Sequence, residues 1–251
     1  MKVQTFIFAH KQEIILDYIN SSKFKFLPNV TYLLLGSGDC SQLIDKRNVI
    51  VARNLDINRE EYPLFVSYTG WYALCKNNLI DDDTDYVNLF EYDINLSINF
   101  DEVLFQELRK RPDAVVYTYY SIISELFLMK EWSLKLNEVT KRLYNIDIYN
   151  YYENLSDKDN YFWTNSTNVT LSRELFLEFI SWFENYFLDL YKSNFPGHEY
   201  ERSITLFFHF KNKKLIFLRG LINHIMANSH GMTHISGTLQ YKDVRNKLLK
   251  I

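Results

Sequence analysis

Cysteine is scarce in this chain, and long apolar runs are missing. Only Cys40 and Cys75 occur among 251 residues, and neither stands in a metal-ligand spacing. So few cysteines in a chain of this length are typical of a reducing compartment. No apolar run approaches the roughly 18 residues that span a bilayer, and the run within residues 1–9 is too short for a signal core. We therefore expect a cytoplasmic protein without a transmembrane segment.

Clustered positive charge is also lacking. The chain carries 28 Lys and Arg against 31 Asp and Glu, a formal net charge of −3. No basic stripe runs along any segment. Because a nucleic-acid binder needs clustered Lys and Arg to displace counterions from the phosphates, we expect no nucleic acid among the partners.

What the chain has in quantity is aromatic residues. They make up 17% of it, with 19 Tyr and 19 Phe. Most must fill a hydrophobic core, although single rings could serve as platforms for sugars. Since the chain contains no internal repeat and no low-complexity linker, we expect one domain over residues 1–251.

The hydrophobic pattern at the start of the chain predicts a strand, a helix and a second strand. Residues 3–9 are β-rich and apolar, residues 11–22 place apolar side chains on one helical face, and residues 30–35 form another apolar run. This βαβ unit implies a parallel strand pair with a right-handed crossover.

Further alternation of strands and helices follows. It predicts an α/β domain that is Rossmann-like, with a mostly parallel central sheet flanked by helices. Further strands are expected at 48–52, 86–90, 114–119 and 215–218, and further helices at 64–77, 101–110, 121–150, 173–192 and 198–211.

Ligands of such sheets bind outside the carboxyl ends of the strands. That rule selects Ala9, His10 and Lys11 after the first strand and Gly36 to Asp39 after the second. We expect a nucleoside diphosphate here, with Lys11 or Lys76 neutralising phosphate charge.

Two acids end a predicted buried strand, Glu91 and Asp93. In extended chain, positions i and i+2 point to the same side, so the two carboxylates could share one Mn²⁺ or Mg²⁺ ion. His230 and His234, in a Gly-containing loop, could complete the metal shell. The alternative is a strand end whose acids are solvated or cap a turn.

A second pair of acids, Glu199 and Glu201, follows a Pro-Gly break at the start of a predicted helix. Either could be a catalytic base beside a pocket. They differ by about 200° in direction, so both cannot face the same pocket. The alternatives are charge complementarity with the helix N-terminus and an ion pair of Glu201 with Arg202. We favour Glu199 as the base.

The order of these segments resembles GT-A-type nucleotide-sugar glycosyltransferases, in particular small bacterial capsule-type enzymes. The likeness covers most of the chain, and Glu91-Tyr92-Asp93 stands where that fold has an Asp-x-Asp-like motif. The segments that carry it are Phe8-Ala9-His10-Lys11, Thr69 to Asn77 ahead of Tyr86 to Asp93, Tyr161 to Val169 with Ser172-Arg173, and Glu201-Arg202.

The resemblance implies a GT-A-like domain with a nucleotide-binding half at 1–95 and an acceptor-side half at 96–240. It implies a hexosyltransferase-like enzyme that moves a sugar from a nucleotide-sugar donor to an acceptor hydroxyl in glycan or polysaccharide synthesis. Lys76 and Asn77, which end the aromatic-rich segment, would then belong to the nucleotide site.

Two other functions remain open at this point. Residues 33–39, Leu-Leu-Leu-Gly-Ser-Gly-Asp, superficially resemble the glycine loop that cradles S-adenosylmethionine in methyltransferases. That loop should open directly into a helix. A non-catalytic carbohydrate-binding protein with a degenerate transferase fold is the other alternative.

Overall fold

Strands and helices alternate along the chain, as the hydrophobic pattern predicts. The structure is a computed structural model that describes residues 1–27, 29–65, 67–117, 121–122, 130–155, 162–163, 167–218 and 222–224. Within these ranges the strands are β1 (Val3–Ala9), β2 (Val30–Leu34), β3 (Val49–Val51), β4 (Tyr86–Glu91), β5 (Ile94–Leu96), β6 (Val115–Tyr117), β7 (Ser121–Ile122), β8 (Phe162–Trp163), β9 (Val169–Ser172), β10 (Leu215–Phe217) and β11 (Ile222–His224).

The helices of the described residues flank the sheet that these strands form. They are α1 (Gln12–Ser21), α2 (Ser67–Lys76), α3 (Phe100–Lys110), α4 (Leu134–Tyr144), α5 (Ile148–Glu153), α6 (Arg173–Phe183), α7 (Phe187–Tyr191) and α8 (Pro196–Phe210), with 3-10 turns at Ala52–Asn54, Pro63–Phe65 and Lys130–Trp132. None of the helices described is both long enough and apolar enough to cross a bilayer.

Polar side chains and special residues fix several helix ends. The Asp147 carboxylate accepts hydrogen bonds from the first backbone N–H groups of α5, and the Ser172 hydroxyl accepts one from Leu175 in α6. Pro196 stands at the start of α8, where its missing N–H costs nothing. Asn145 closes α4 in the left-handed conformation that asparagine tolerates.

The main sheet has seven strands in the order β10-β6-β9-β4-β1-β2-β3. All neighbours pair in parallel except β9, which runs antiparallel between β4 and β6. The α/β class with a mostly parallel sheet is therefore confirmed.

A buried polar ladder crosses the middle of this sheet. Asn88 lies opposite Thr5 on one side and Thr170 on the other. Its amide donates to the Thr5 hydroxyl at 3.0 Å, and its Oδ1 accepts from the Thr170 hydroxyl at 2.6 Å. Because an unpaired polar group would be costly at this depth, the ladder favours this strand register over a shifted one.

Each face of the sheet carries its own hydrophobic core. Phe6 and Phe8 of β1 point to the core shared with α2, α6 and α8, whereas Ile7 and Ala9 point to the core shared with α1 and α3. The alternation follows from the two-residue period of a strand. Burial on both faces explains why β1 is an almost continuous apolar run.

Chain direction decides which helix ends lie near the carboxyl ends of the parallel strands. Helix α2 connects β3 to the parallel strand β4, so it begins at the carboxyl edge of the sheet and ends at the amino edge. Strand β9 runs the opposite way, and the Arg173 N–H at the start of α6 bonds to the Asp85 carbonyl just before β4. The chain therefore returns to the carboxyl edge before α8 begins.

Two parts of the predicted element order differ from the structure. The long helix predicted for 173–192 is divided at residues 184–186 into α6 and α7. Within 121–150 the described residues are mostly helical, as predicted, in α4 and the start of α5, together with a short strand and a 3-10 turn. Strands β5, β7, β8, β9 and β11 are additional. Each is four residues or fewer, too short to set up a clear period.

Candidate functional site

The carboxyl ends of β1 and β4 meet at the centre of the sheet. The backbone ladder continues past the strands, because the Tyr92 N–H donates to the Phe8 carbonyl at 2.9 Å and the Leu35 N–H donates to the Ala9 carbonyl at 2.8 Å. The rings of His10 and Tyr92 meet edge to face with centroids 5.0 Å apart. Ala9 and His10 thus lie at the crevice that the strand order predicts.

Lys11 lies next to this crevice. It is exposed and occupies the position just before α1. Its side chain does not cap the helix. Lys11 therefore combines a mobile positive charge with the neighbouring N–H groups of a helix start, two features that favour an anion.

The loop after β2 is fixed by side chains from elsewhere. Gly36 takes φ +82°, a conformation that glycine permits, and its N–H donates to the Glu60 carboxylate. Asp39 accepts from the Ser41 N–H at 3.0 Å and from the Gln12 amide at 2.5 Å. The Ser41 backbone bond is the main cause of the lowered pKa of Asp39. Asp39 thus ties the loop to α1.

Arg53 and Glu60 are two residues of this edge that the sequence motifs do not indicate. Arg53 Nη1 donates to the Gly38 carbonyl at 2.7 Å, and its Nη2 lies 3.0 Å from Cys40 Sγ. Both residues follow β3 in the sequence, and only the tertiary structure brings them to the loop after β2. No local signal in the sequence marks them.

The methyltransferase alternative requires the glycine loop to open into a helix. Residues 41–45 form turns instead. The structure therefore lacks, at this place, the feature on which that alternative depends.

Glu91 ends β4 and lies deep beneath the crevice. Its carboxylate accepts a 2.6 Å hydrogen bond from the Thr167 hydroxyl, and its N–H donates to Asn168 Oδ1 at 2.6 Å. Ser67, at the start of α2, lies beside it. The sequence reasoning missed Thr167 and Asn168 as partners, because the strand that follows them, Val-Thr-Leu-Ser, is too short to mark them.

The pKa of Glu91 is raised to about 8, and burial is the main cause. The negative charges of Asp93 and then Glu201 act in the same direction. Both effects favour the protonated form of the carboxyl group. The mutual effect also shows that the structure brings Glu91 and Glu201, one from each half of the chain, into one electrostatic neighbourhood.

Asp93 does not continue the strand. Residues 92 and 93 form the turn between β4 and β5. Its charge acts on Tyr18 and Lys23, at the far end of α1. Its charge also raises the pKa of Glu91, so the two carboxylates lie near each other although no extended strand aligns them.

A divalent cation shared by Glu91 and Asp93 stays a prediction. The two carboxylates act on each other, and Glu91 accepts a hydrogen bond from the Thr167 hydroxyl at 2.6 Å. Among the described residues, no group of three or more His, Cys, Asp and Glu side chains is arranged to hold a metal ion. His230 and His234 lie outside the described residues.

Glu199 and Glu201 point in different directions from the start of α8, as their spacing predicts. Glu199 is buried, and its two oxygens accept from the backbone N–H groups of Lys135 at 3.0 Å and Leu136 at 2.8 Å. Burial raises its pKa, although the two N–H bonds oppose this. Glu201 is part-exposed, near Glu91, with its Oε2 3.5 Å from His198 Nδ1. Of the two, Glu201 is the one whose charge acts on Glu91, and its Oε2 also lies 3.7 Å from Arg202 Nη1, the ion pair that the sequence offered as an alternative.

Lys76 and Asn77 lie away from these residues. They end α2 at the amino edge, and the next segment contacts the start of β1 through a 2.9 Å bond from the Asp81 N–H to Gln4. The Asn77 amide donates to the carbonyls of Ile57 and Ala73. The structure therefore separates this pair from Ala9, His10 and Lys11.

Comparisons with known proteins add a likeness of fold. No protein-family model matches the chain, and no curated protein matches it in sequence. Among solved structures it is similar to the apo form of the bifunctional glycosyltransferase WbbM, with 12% identity, a TM-score of 0.57, and coverage of 90% of this chain. The match spans 46% of the WbbM chain, less than half its length.

A second similar structure is the galactosyltransferase LgtC in complex with donor and acceptor sugar analogues. It shares 12% identity at a TM-score of 0.43, over 97% of this chain and 94% of its own. The likeness to WbbM shows that the α/β fold of this chain is one that a glycosyltransferase uses.

Proposed function

We propose that the chain transfers a glycosyl group from a nucleoside-diphosphate sugar to an acceptor hydroxyl, in the synthesis of a glycan or polysaccharide. The observation that carries this proposal is the convergence of Glu91, Glu201 and the start of α1 at the carboxyl edge of a sheet whose fold occurs in a glycosyltransferase. Ligands of open α/β sheets bind at this edge.

The donor diphosphate would bind after β1. Lys11 and the N–H groups in the first turn of α1 would supply the positive potential for it. His10 and the loop from Gly36 to Asp39 would then flank the nucleoside. No step of this proposal passes through a metal ion.

Glu201 would accept the proton of the acceptor hydroxyl. As the acceptor oxygen bonds to the anomeric carbon, its O–H proton moves to the Glu201 carboxylate. The bond from the anomeric carbon to the phosphate oxygen breaks, and its electron pair leaves with the nucleoside diphosphate. Burial favours the protonated form of Glu91, which would limit the negative charge beside this base.

A thermal-shift panel of uridine, guanosine and thymidine diphosphates tests the donor site, because a ligand of the native state raises the melting temperature. Lys11→Ala should weaken binding, whereas Lys76→Ala, a lysine at the opposite edge of the sheet, should not. No shift with any diphosphate at millimolar concentration would contradict the proposal.

Release of free sugar from a nucleotide-sugar separates the enzyme from the other open function. A transferase hydrolyses its donor slowly when water replaces the acceptor. A non-catalytic carbohydrate-binding protein with the same fold would show no turnover.

A further inference from the structure

Three rings form a partly exposed cluster where α8 begins. Trp132 stacks on His198 with centroids 4.5 Å apart and planes 13° from parallel, and Phe195 contacts both at 6.2 Å. Phe195 is 38% exposed and the His198 side chain 40% exposed. We call these three residues the Trp132 cluster. Most aromatic rings of the described residues are enclosed in the two cores, whereas these three reach the surface.

A buried arginine supports the cluster from inside the protein. The Arg202 side chain has no exposed surface, and its guanidinium carbon lies 5.3 Å from the centroid of the Trp132 ring. Its Nη1 donates to the His198 carbonyl at 2.9 Å. The rings are therefore held in place rather than free to rotate, which lowers the entropy cost of binding a ligand on them.

The Trp132 cluster is continuous with the crevice. His198 Nδ1 lies 3.5 Å from Glu201 Oε2, and Glu201 in turn acts on Glu91 at the end of β4. An apolar ring surface thus adjoins a carboxylate that can accept hydrogen bonds. A pyranose has the matching chemistry, since its C–H groups form an apolar face and its hydroxyls line the edge. Binding sites of this kind combine aromatic surfaces with a few placed polar groups.

We propose that the Trp132 cluster is the platform on which one pyranose ring of the acceptor stacks, with Glu201 facing an acceptor hydroxyl. This inference rests on the proposed glycosyl transfer and assigns its acceptor side to Phe195, Trp132 and His198.

Saturation-transfer NMR with methyl glycosides tests the platform directly. The probes are the methyl β-pyranosides of glucose, galactose and N-acetylglucosamine, each titrated in the presence of uridine diphosphate. We expect saturation to be strongest on the C–H protons of one ring face. Phe195→Ala should weaken binding about tenfold, the size of one aromatic contact. Phe195→Tyr should preserve it.

Leu188→Ala is the matched control, because Leu188 is an exposed apolar residue on α7 outside the cluster. Wild-type protein that binds none of the three glycosides, or Phe195→Ala protein that binds them as tightly as wild type, would overturn the inference. Nucleotide binding is measured separately in the same samples. Its absence contradicts the transferase itself, whereas loss of the glycoside result alone contradicts only the platform.

Discussion

The carboxylate of Glu199 accepts a 2.8 Å hydrogen bond from the backbone N–H of Leu136. Together with the bond from Lys135, this places a buried negative charge on the first turn of α4, where the helix dipole favours it. Both carboxylate oxygens of Glu199, which the sequence favoured as a base, are thus bound by backbone N–H groups. Glu201, two positions on, is left to face the crevice.

Glu201→Gln should lower the transfer rate by about 100-fold or more, the size of a general-base effect, because the amide cannot accept the hydroxyl proton. Donor affinity should stay the same. Initial rates with a nucleotide-sugar, together with calorimetric titration of the nucleoside diphosphate, measure the two effects. A wild-type rate would show that the base lies elsewhere or that the enzyme is retaining.

Glu199→Gln should act on stability instead. The amide oxygen replaces only one of two acceptors, so one buried N–H of α4 loses its bond at a cost of roughly 1–3 kcal/mol. Urea unfolding reports this loss, and the transfer rate below the transition should stay within about twofold of wild type. A large loss of transfer rate in a fully folded Glu199→Gln protein would show that Glu199 takes part in the reaction.

Glu91 should make stability depend on pH. Its pKa rises from 4.5 to about 8 on folding, so between these values the folded state holds a proton that the unfolded chain releases. The free energy of unfolding should therefore fall as pH rises through this window. Glu91→Gln cannot ionise, so this fall should be missing from its profile, and at pH 9 it should be more stable than wild type.

Urea midpoints at pH 5, 7 and 9 test this dependence. Glu61→Gln is the control, since Glu61 is an exposed carboxylate and should leave the pH profile unchanged. Parallel profiles for wild type and Glu91→Gln would contradict a raised pKa at Glu91.

Gly70→Ala should destabilise the protein although it replaces glycine inside a helix. A Cβ at this position would lie 2.7 Å from the buried Phe8 ring and 3.0 Å from Leu35. The gain in helix propensity is about 1 kcal/mol, and overpacking of about 1–3 kcal/mol outweighs it. Thermal unfolding should show a net loss. Gly38→Ala, where a Cβ has ordinary contacts, should be near neutral.

Arg59→Ala should cost about 2–3 kcal/mol, because its guanidinium is stacked and paired at once. The guanidinium carbon lies 4.1 Å from the Tyr72 ring centroid and 3.7 Å from that of Phe187, and Nη2 donates to Glu184 at 2.7 Å. Arg59→Lys should recover only part of this, since an ammonium keeps the charge but loses the planar stack.

Arg142→Ala provides the comparison for that measurement. In the Arg142–Asp189 pair the distance from Nη2 to Oδ2 is 2.6 Å, but the pair is open to solvent, with 55% of the arginine side chain exposed. Solvent screens an exposed pair, so its urea midpoint should hardly move. If both substitutions lowered the free energy of unfolding equally, burial and stacking of Arg59 would contribute nothing to stability.

The sequence by itself determined the fold class and the edge of the sheet at which we propose that a ligand binds. Hydrophobic period is local, so β1, α1 and β2 are readable from neighbouring residues, and parallel strands then place Ala9 to Lys11 beside the end of β4. The position of Lys76 was also deducible, because a helix between two parallel strands must end at the amino edge.

Only the tertiary structure decided the rest. The insertion of β9 against β4, which brings Thr167 to Glu91, joins residues 76 positions apart, and no local period records such a pairing. The same holds for Glu199 and Glu201. Helical geometry requires them to face apart, but only the packing of α4 against α8 decides which one is buried in a cap and which one meets the crevice.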